Sequence, residues 1–147
     1  MKKLNRKGFT LIELLAVIVI LAVVLVVTIS SVISSTNKAK ENQLQNAADT
    51  VTEWFTKQYE LDTLGSIAGG ADAAYTTFGG VTTTSKPLTA DVLKAAGVTN
   101  TEGLINAGST VNLTATGKVC VKLEAKSGPF FVNSDETDAN KVSGSGC

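Results

Sequence analysis

The sequence predicts an α+β chain: a long N-terminal α-helix whose second half packs against a small antiparallel β-sheet head. Three observations lead there. From Phe9 to Ile33 the chain is almost wholly apolar and holds neither glycine nor proline. From Leu44 to Tyr59 apolar residues recur at steps of three and four, the spacing of one helical face. From Val111 to Leu123 apolar and polar residues alternate about Gly117, the pattern of a hairpin with one buried face.

The first element opens with Lys2, Lys3, Arg6 and Lys7, positive charges that stay on the cytoplasmic side of a membrane. As a helix, Phe9 to Ile33 would be roughly 37 Å long, enough to span a hydrocarbon core with some tilt. Leu14 through Val27 are all apolar, and Glu13 is the only charged residue between Gly8 and Lys38. An acid in a segment that must enter a bilayer is expensive, so it needs a partner and usually has a role. A secretory signal peptide fits poorly, because the apolar part is long, the acid is misplaced and small residues gather only near Ser30 to Ser35. A plain transmembrane anchor fits in length but leaves Glu13 unexplained.

The run Lys7-Gly8-Phe9-Thr10-Leu11-Ile12-Glu13-Leu14-Leu15 resembles the class III signal of type IV pilins and pseudopilins. The resemblance is strong from Lys7 to about Lys40 and only architectural beyond. It implies a type IV pilin-like fold and a specific life history. A prepilin peptidase would cut between Gly8 and Phe9 and methylate the Phe9 amine. The chain would wait in the cytoplasmic membrane as a single-pass subunit. A platform protein and its ATPase machinery would then draw it into a helical homopolymer on the cell surface. Glu13 would pair with the Phe9 amine of a neighbouring subunit, because either charge left unpaired in an apolar core is costly, and pairing would set the stagger between subunits; the alternative is that Glu13 merely sits at the headgroup boundary. Many family members carry a glycine and a proline near the places of Ala22 and Ser30. Their absence here predicts a more continuous helix, bent only mildly by Thr28, Ser30, Ser31, Ser34 and Ser35 bonding back to helix carbonyls.

This reading divides the chain into a leader (1–8), a membrane and filament-core helix (9–37), an amphipathic helix half packed on the head (38–64), a loop region (65–110) and a sheet with a tail tied by a disulfide (111–147). A single helix from about Phe9 to about Leu64 would be roughly 84 Å long. In its second half Leu44, Ala48, Val51, Phe55 and Tyr59 form the inward face, widened by Ala47, Trp54 and Leu61, and Gly65 is the stop. Residues 67–86 are rich in Gly, Ala and Thr and read as a long loop with one short strand around Tyr75 to Phe78. In the resembling family this is the αβ-loop that helps to set subunit contacts. Thr89 is an N-cap for a short helix near 89–96, closed by Gly97, with Leu88, Val92, Leu93 and Ala96 inward.

Three strands follow. Val111, Leu113 and Ala115 alternate with polar residues up to Gly117, then Val119, Val121 and Leu123 do the same. Gly128-Pro129 turns into Phe130-Phe131-Val132. Such a sheet can leave its outer face wet, and Cys120 falls on that polar face. The only other cysteine is Cys147, the last residue. A disulfide between them is the economical pairing outside the membrane, against two free thiols. It would strap 134–146 across the outer face, worth about 3 kcal/mol in the chain-entropy picture. Asp135 and Asp138 lie in an oxygen-rich stretch that is a weak calcium candidate, since major type II secretion pseudopilins bind calcium in this region. The spacing is not that of an EF-hand loop, so no cofactor is expected.

Composition excludes other classes. There is no histidine, which removes histidine-based catalysis and ligation. No phosphate-binding glycine motif occurs, and no residue constellation favours an enzyme. The formal charge is zero. Removing the four basic leader residues from thirteen leaves nine, against thirteen acidic ones, an argument against nonspecific DNA binding by the subunit. The function expected is a structural subunit of a type IV pilus serving adhesion, twitching motility or biofilm formation. The alternative is the major pseudopilin of a type II secretion or competence system.

Overall fold

The computed structural model describes residues 8, 10–65, 69–99, 101–126 and 131–133. In chain order its elements are α1 (Leu11–Leu64), α2 (Ala73–Phe78), β1 (Lys86–Pro87), α3 (Ala90–Ala95), α4 (Thr101–Leu104), β2 (Thr110–Leu113), β3 (Val119–Glu124) and β4 (Phe131–Asn133). The chain divides into two compact units, Met1–Lys38 and Ala39–Cys147.

In the first unit α1 runs without interruption, as the lack of glycine and proline implies. Thr28, Ser30 and Thr36 bond back to helix carbonyls, whereas Ser31, Ser34 and Ser35, expected to do the same, do not. Thr28 Oγ1 donates to the carbonyls of Val24 and Leu25 at 3.0 and 3.1 Å, Ser30 Oγ to Val27 at 3.1 Å, and Thr36 Oγ1 to Val32 at 2.8 Å. None of these groups therefore needs a partner from an apolar surrounding. The large apolar side chains from Leu11 to Ile33 all stand exposed, from 49 % at Val17 to 84 % at Leu11. The helix is long and apolar enough to cross a membrane.

The second unit has one core. Leu44, Ala48, Val51 and Phe55, spaced four, three and four along α1, are fully buried with Val111, Val121 and Leu123 of the sheet. Phe55 is the centre of an aromatic group: its ring lies 4.9 Å from Trp54 edge-on, 5.7 Å from Phe78 and 6.1 Å from Tyr75. Such tilted and edge-to-face pairs add to burial. The sheet is antiparallel in the order β1-β2-β3-β4. Val111 pairs with Val121 and Leu113 with Val119, which puts the alternating apolar residues on one face, as expected. A bridge between Ile105 and Ala125, with Asn106 N–H bonded to the Glu124 carbonyl at 2.8 Å, extends the pairing beyond β3.

Several expectations need correction. Residues 75–78 are not a strand but part of the helix α2. Asp72 caps it, accepting from Ala74 N–H at 2.7 Å, Ala73 and Ala74 favour helix, and Gly79 ends it in the left-handed region at φ 80°. The region read as loop also supplies a fourth strand, β1, at the sheet edge, where a proline without an N–H is tolerated. A short helix, α4, was not expected. The described helix α1 runs from Leu11 to Leu64, and Phe9 lies outside the described residues. The first hairpin strand stops at Leu113, and Ala115 is exposed in the turn, where Thr114 N–H bonds to Lys118 O at 2.8 Å and Gly117 takes φ 79°. The cap at Thr89 and the left-handed Gly97 that close α3 are as expected.

The outer face of the sheet differs most. Cys120 and its cross-strand partner Asn112 point away from the core, yet Cys120 is fully buried and Asn112 is 8 % exposed. That face is therefore covered at this pair, and only Lys122 and Glu124, 3.4 Å apart, remain partly wet on β3. The expected third strand is present as β4, while the turn at Gly128-Pro129 lies outside the described residues.

Burial raises the Tyr75 hydroxyl above its ordinary value, partly offset by the bond it accepts from Val81 N–H at 3.3 Å; Asp62 and Tyr59 raise it further. Below about pH 10 the hydroxyl is protonated in folded and unfolded chains alike, so it makes no difference to stability. Above that the unfolded chain ionises first, and stability falls as pH rises toward the folded value. Alkaline unfolding followed by circular dichroism should therefore be steeper above about pH 10 in the wild type than in Tyr75→Phe.

Candidate functional site

The candidate site is the start of α1. Gly8 is exposed, lies outside the helix and has open space around it. Phe9 lies outside the described residues. Thr10 is the cap of α1, and it and Glu13 satisfy each other's free backbone donors. Thr10 N–H donates to Glu13 Oε2 at 2.8 Å, while Glu13 N–H approaches Thr10 Oγ1 at 3.3 Å. The Thr10 carbonyl accepts from Glu13 and Leu14 N–H at 3.1 and 3.2 Å. This is a capping box, in which a threonine and a glutamate three residues on close the first turn reciprocally.

The arrangement answers part of the electrostatic question raised by a lone acid in an apolar helix. The carboxylate is placed at the helix N-terminus, where the helix dipole favours negative charge, and one of its oxygens is bonded to its own chain. The other oxygen remains available to a second donor, and the backbone bond aims the group toward the residues just before the helix. Thr10 was not singled out from the sequence, although Thr10-Leu11-Ile12-Glu13 carries the capping spacing and could have revealed it.

The remaining candidates are scattered. Cys120 is buried on the outer face of β3, and no cysteine among the described residues is free. Cys147 lies outside the described residues, as do the calcium candidates Asp135 and Asp138. Among the described residues no group of three or more acidic or cysteine side chains is placed to hold a metal. The sequence also gave no signal for Gln58, a buried amide of α1 whose Oε1 accepts from Asp72 N–H at 2.6 Å and so ties the start of α2 to the long helix.

Comparison with known proteins gives one match. A model of the prokaryotic N-terminal methylation motif matches residues 3–34, the basic start, the glycine, the capping box and most of the apolar run. No curated protein and no solved structure matches the chain.

Proposed function

We propose, from a chain whose residues 3–34 carry the class III signal of type IV pilins and pseudopilins, that it is the structural subunit of a type IV pilus rather than an enzyme. A prepilin peptidase cuts after Gly8 and methylates Phe9. The apolar helix holds the subunit in the cytoplasmic membrane until a platform protein and its ATPase transfer it to an extracellular helical filament used for adhesion, motility or biofilm formation. The observation that carries this reading is the motif itself. The geometry supports it: Gly8 is exposed outside the helix, and the Glu13 carboxylate is held by Thr10 with one oxygen to spare for the amine of a neighbouring Phe9.

The same reading pairs Cys120 with Cys147 and lays the tail over the outer face of the sheet. Supporting it is the burial of Cys120 and Asn112 on the side away from the core.

Intact-mass spectrometry of material sheared from the cell surface tests the proposal. A chain beginning at methylated Phe9 and two hydrogens light is expected. The same species confined to the membrane fraction would instead favour a pseudopilin of a secretion or competence system, and a chain beginning at Met1 would overturn both. Gly8→Leu should block processing and leave uncut chain in the membrane; normal filaments from this variant would refute cleavage at Gly8.

A further inference from the structure

The head contains a small lobe whose attachments differ from those of the rest of the core. Helix α2 lies between two glycine pairs, Gly69-Gly70 with φ of 85° and 79°, and Gly79-Gly80 with φ of 80° and 66°. These left-handed angles cost glycine little and other residues much. Among the described residues no hydrogen bond links α2 to α3, and a groove of about 440 Å³ runs between them, past Ala74, Thr77, Phe78 and Val92. The lobe reaches the core through Tyr75, fully buried, Phe78, half-buried on Phe55, and buried Val81, and Gln58 of α1 holds its first end by accepting from Asp72 N–H at 2.6 Å.

Its second hinge is gripped from outside. Lys86, at the start of the edge strand β1, donates Nζ–H to the carbonyls of Gly79 at 2.8 Å and Gly80 at 2.9 Å. The same ammonium lies 5.4 Å from the centre of the Phe78 ring, within cation–π range. A β-carbon at Gly79 would stand 3.5 Å from Lys86 Nζ, and one at Gly80 would stand 3.4 Å from the Tyr75 hydroxyl. One charged side chain thus closes both carbonyls of the hinge, and just beyond it Leu113 N–H of β2 bonds to the Thr82 carbonyl at 2.8 Å.

We propose that Lys86 is the latch of a lobe that opens as a unit. With the latch closed, α2 covers Phe55. With it released, residues 71–81 move on the two glycine pairs, giving up the Gln58 bond to Asp72 N–H, and uncover Tyr75 and Phe78 while the sheet stays intact. The lobe is then the part of the head that can reshape against a neighbouring surface, because its opening does not require the core strands to separate. This inference stands on the head alone and does not depend on cleavage or filament formation.

Hydrogen exchange of the full chain in detergent micelles tests it. In the wild type, amides of residues 74–81 should exchange faster than those of Val111, Val121 and Leu123. Lys86→Met should accelerate the lobe amides by about tenfold or more, on the scale of one lost charge-assisted bond, and leave the strand amides unchanged. Lys86→Arg, which keeps the charge and donors, should restore most of the protection. Uniform acceleration across lobe and strands would show that Lys86 supports the head as a whole and that no separate lobe exists. Unchanged lobe exchange in Lys86→Met would show that Lys86 is not the latch.

Discussion

Under the proposed function, Glu13→Gln should insert into the membrane and be cut after Gly8 to the same extent as the wild type, yet yield filaments reduced by on the order of tenfold or more, the effect expected for an uncompensated charge in an apolar interface. The substitution is chosen because it separates two roles. A glutamine carbonyl can still accept from Thr10 N–H, the bond that Glu13 Oε2 makes at 2.8 Å, so the cap survives while the charge is lost. If the carboxylate matters because it pairs with a neighbour's amine, Gln fails as badly as Ala. If it matters only because it starts the helix, Gln restores assembly and Ala does not. Filament yield from sheared cells, normalised to the membrane pool of cut subunit, distinguishes these outcomes. Recovery of wild-type yield by Glu13→Gln would remove charge pairing from the account.

Phe55→Ala should cost the head about 3–5 kcal/mol, the usual loss for a buried aromatic truncated in a core. The position is fully buried and touches rings from α1 and α2 at once, so little can collapse into the space left. A small domain typically has about 5–15 kcal/mol of total stability, so the variant should approach the threshold of unfolding. Denaturant unfolding of the full chain in micelles, followed by the fluorescence of Trp54, measures it. The apolar segment lies in the other unit, so membrane insertion should be unaffected. A loss below about 1 kcal/mol would mean that the aromatic group tolerates a cavity, contrary to its close packing.

Some of this head was legible from residue spacing alone. The buried face of α1 follows from Leu44, Ala48, Val51 and Phe55, because helical periodicity is local and needs no knowledge of the partner. The same holds for Val111, Val121 and Leu123, where strand alternation assigns the inner face. Thr89 and Gly97 marked the ends of α3 for the same reason. The failures came where short elements depend on their surroundings. Tyr75 and Phe78 have strand-like side chains, but Asp72, two alanines and Gly79 close a turn of helix around them. Lys86-Pro87 is too short to show a period, and it becomes a strand only because β2 lies beside it. The burial of Cys120 and Asn112 depends on whatever covers a face that is polar in sequence. At the candidate site, Gly8 and Glu13 were legible as a motif. The role of Thr10 lies in its spacing to Glu13, a local capping signal distinct from the charge that makes Glu13 conspicuous.

The unbroken apolar surface of the first unit has a thermodynamic consequence. For a helix residing in lipid, a neighbouring helix is no better a solvent than the hydrocarbon it displaces, so leaving the bilayer for a bundle gains little from the hydrophobic effect. The side chains from Leu14 to Val27 therefore provide compatibility with both surroundings and favour neither strongly. With the hydroxyls of Thr28, Ser30 and Thr36 already satisfied within the helix, the direction of the proposed transfer would rest on work done by outside machinery and on whatever charge is neutralised at the helix start. On the function proposed above, a subunit balanced in this way would pass between membrane and bundle in either direction at small cost.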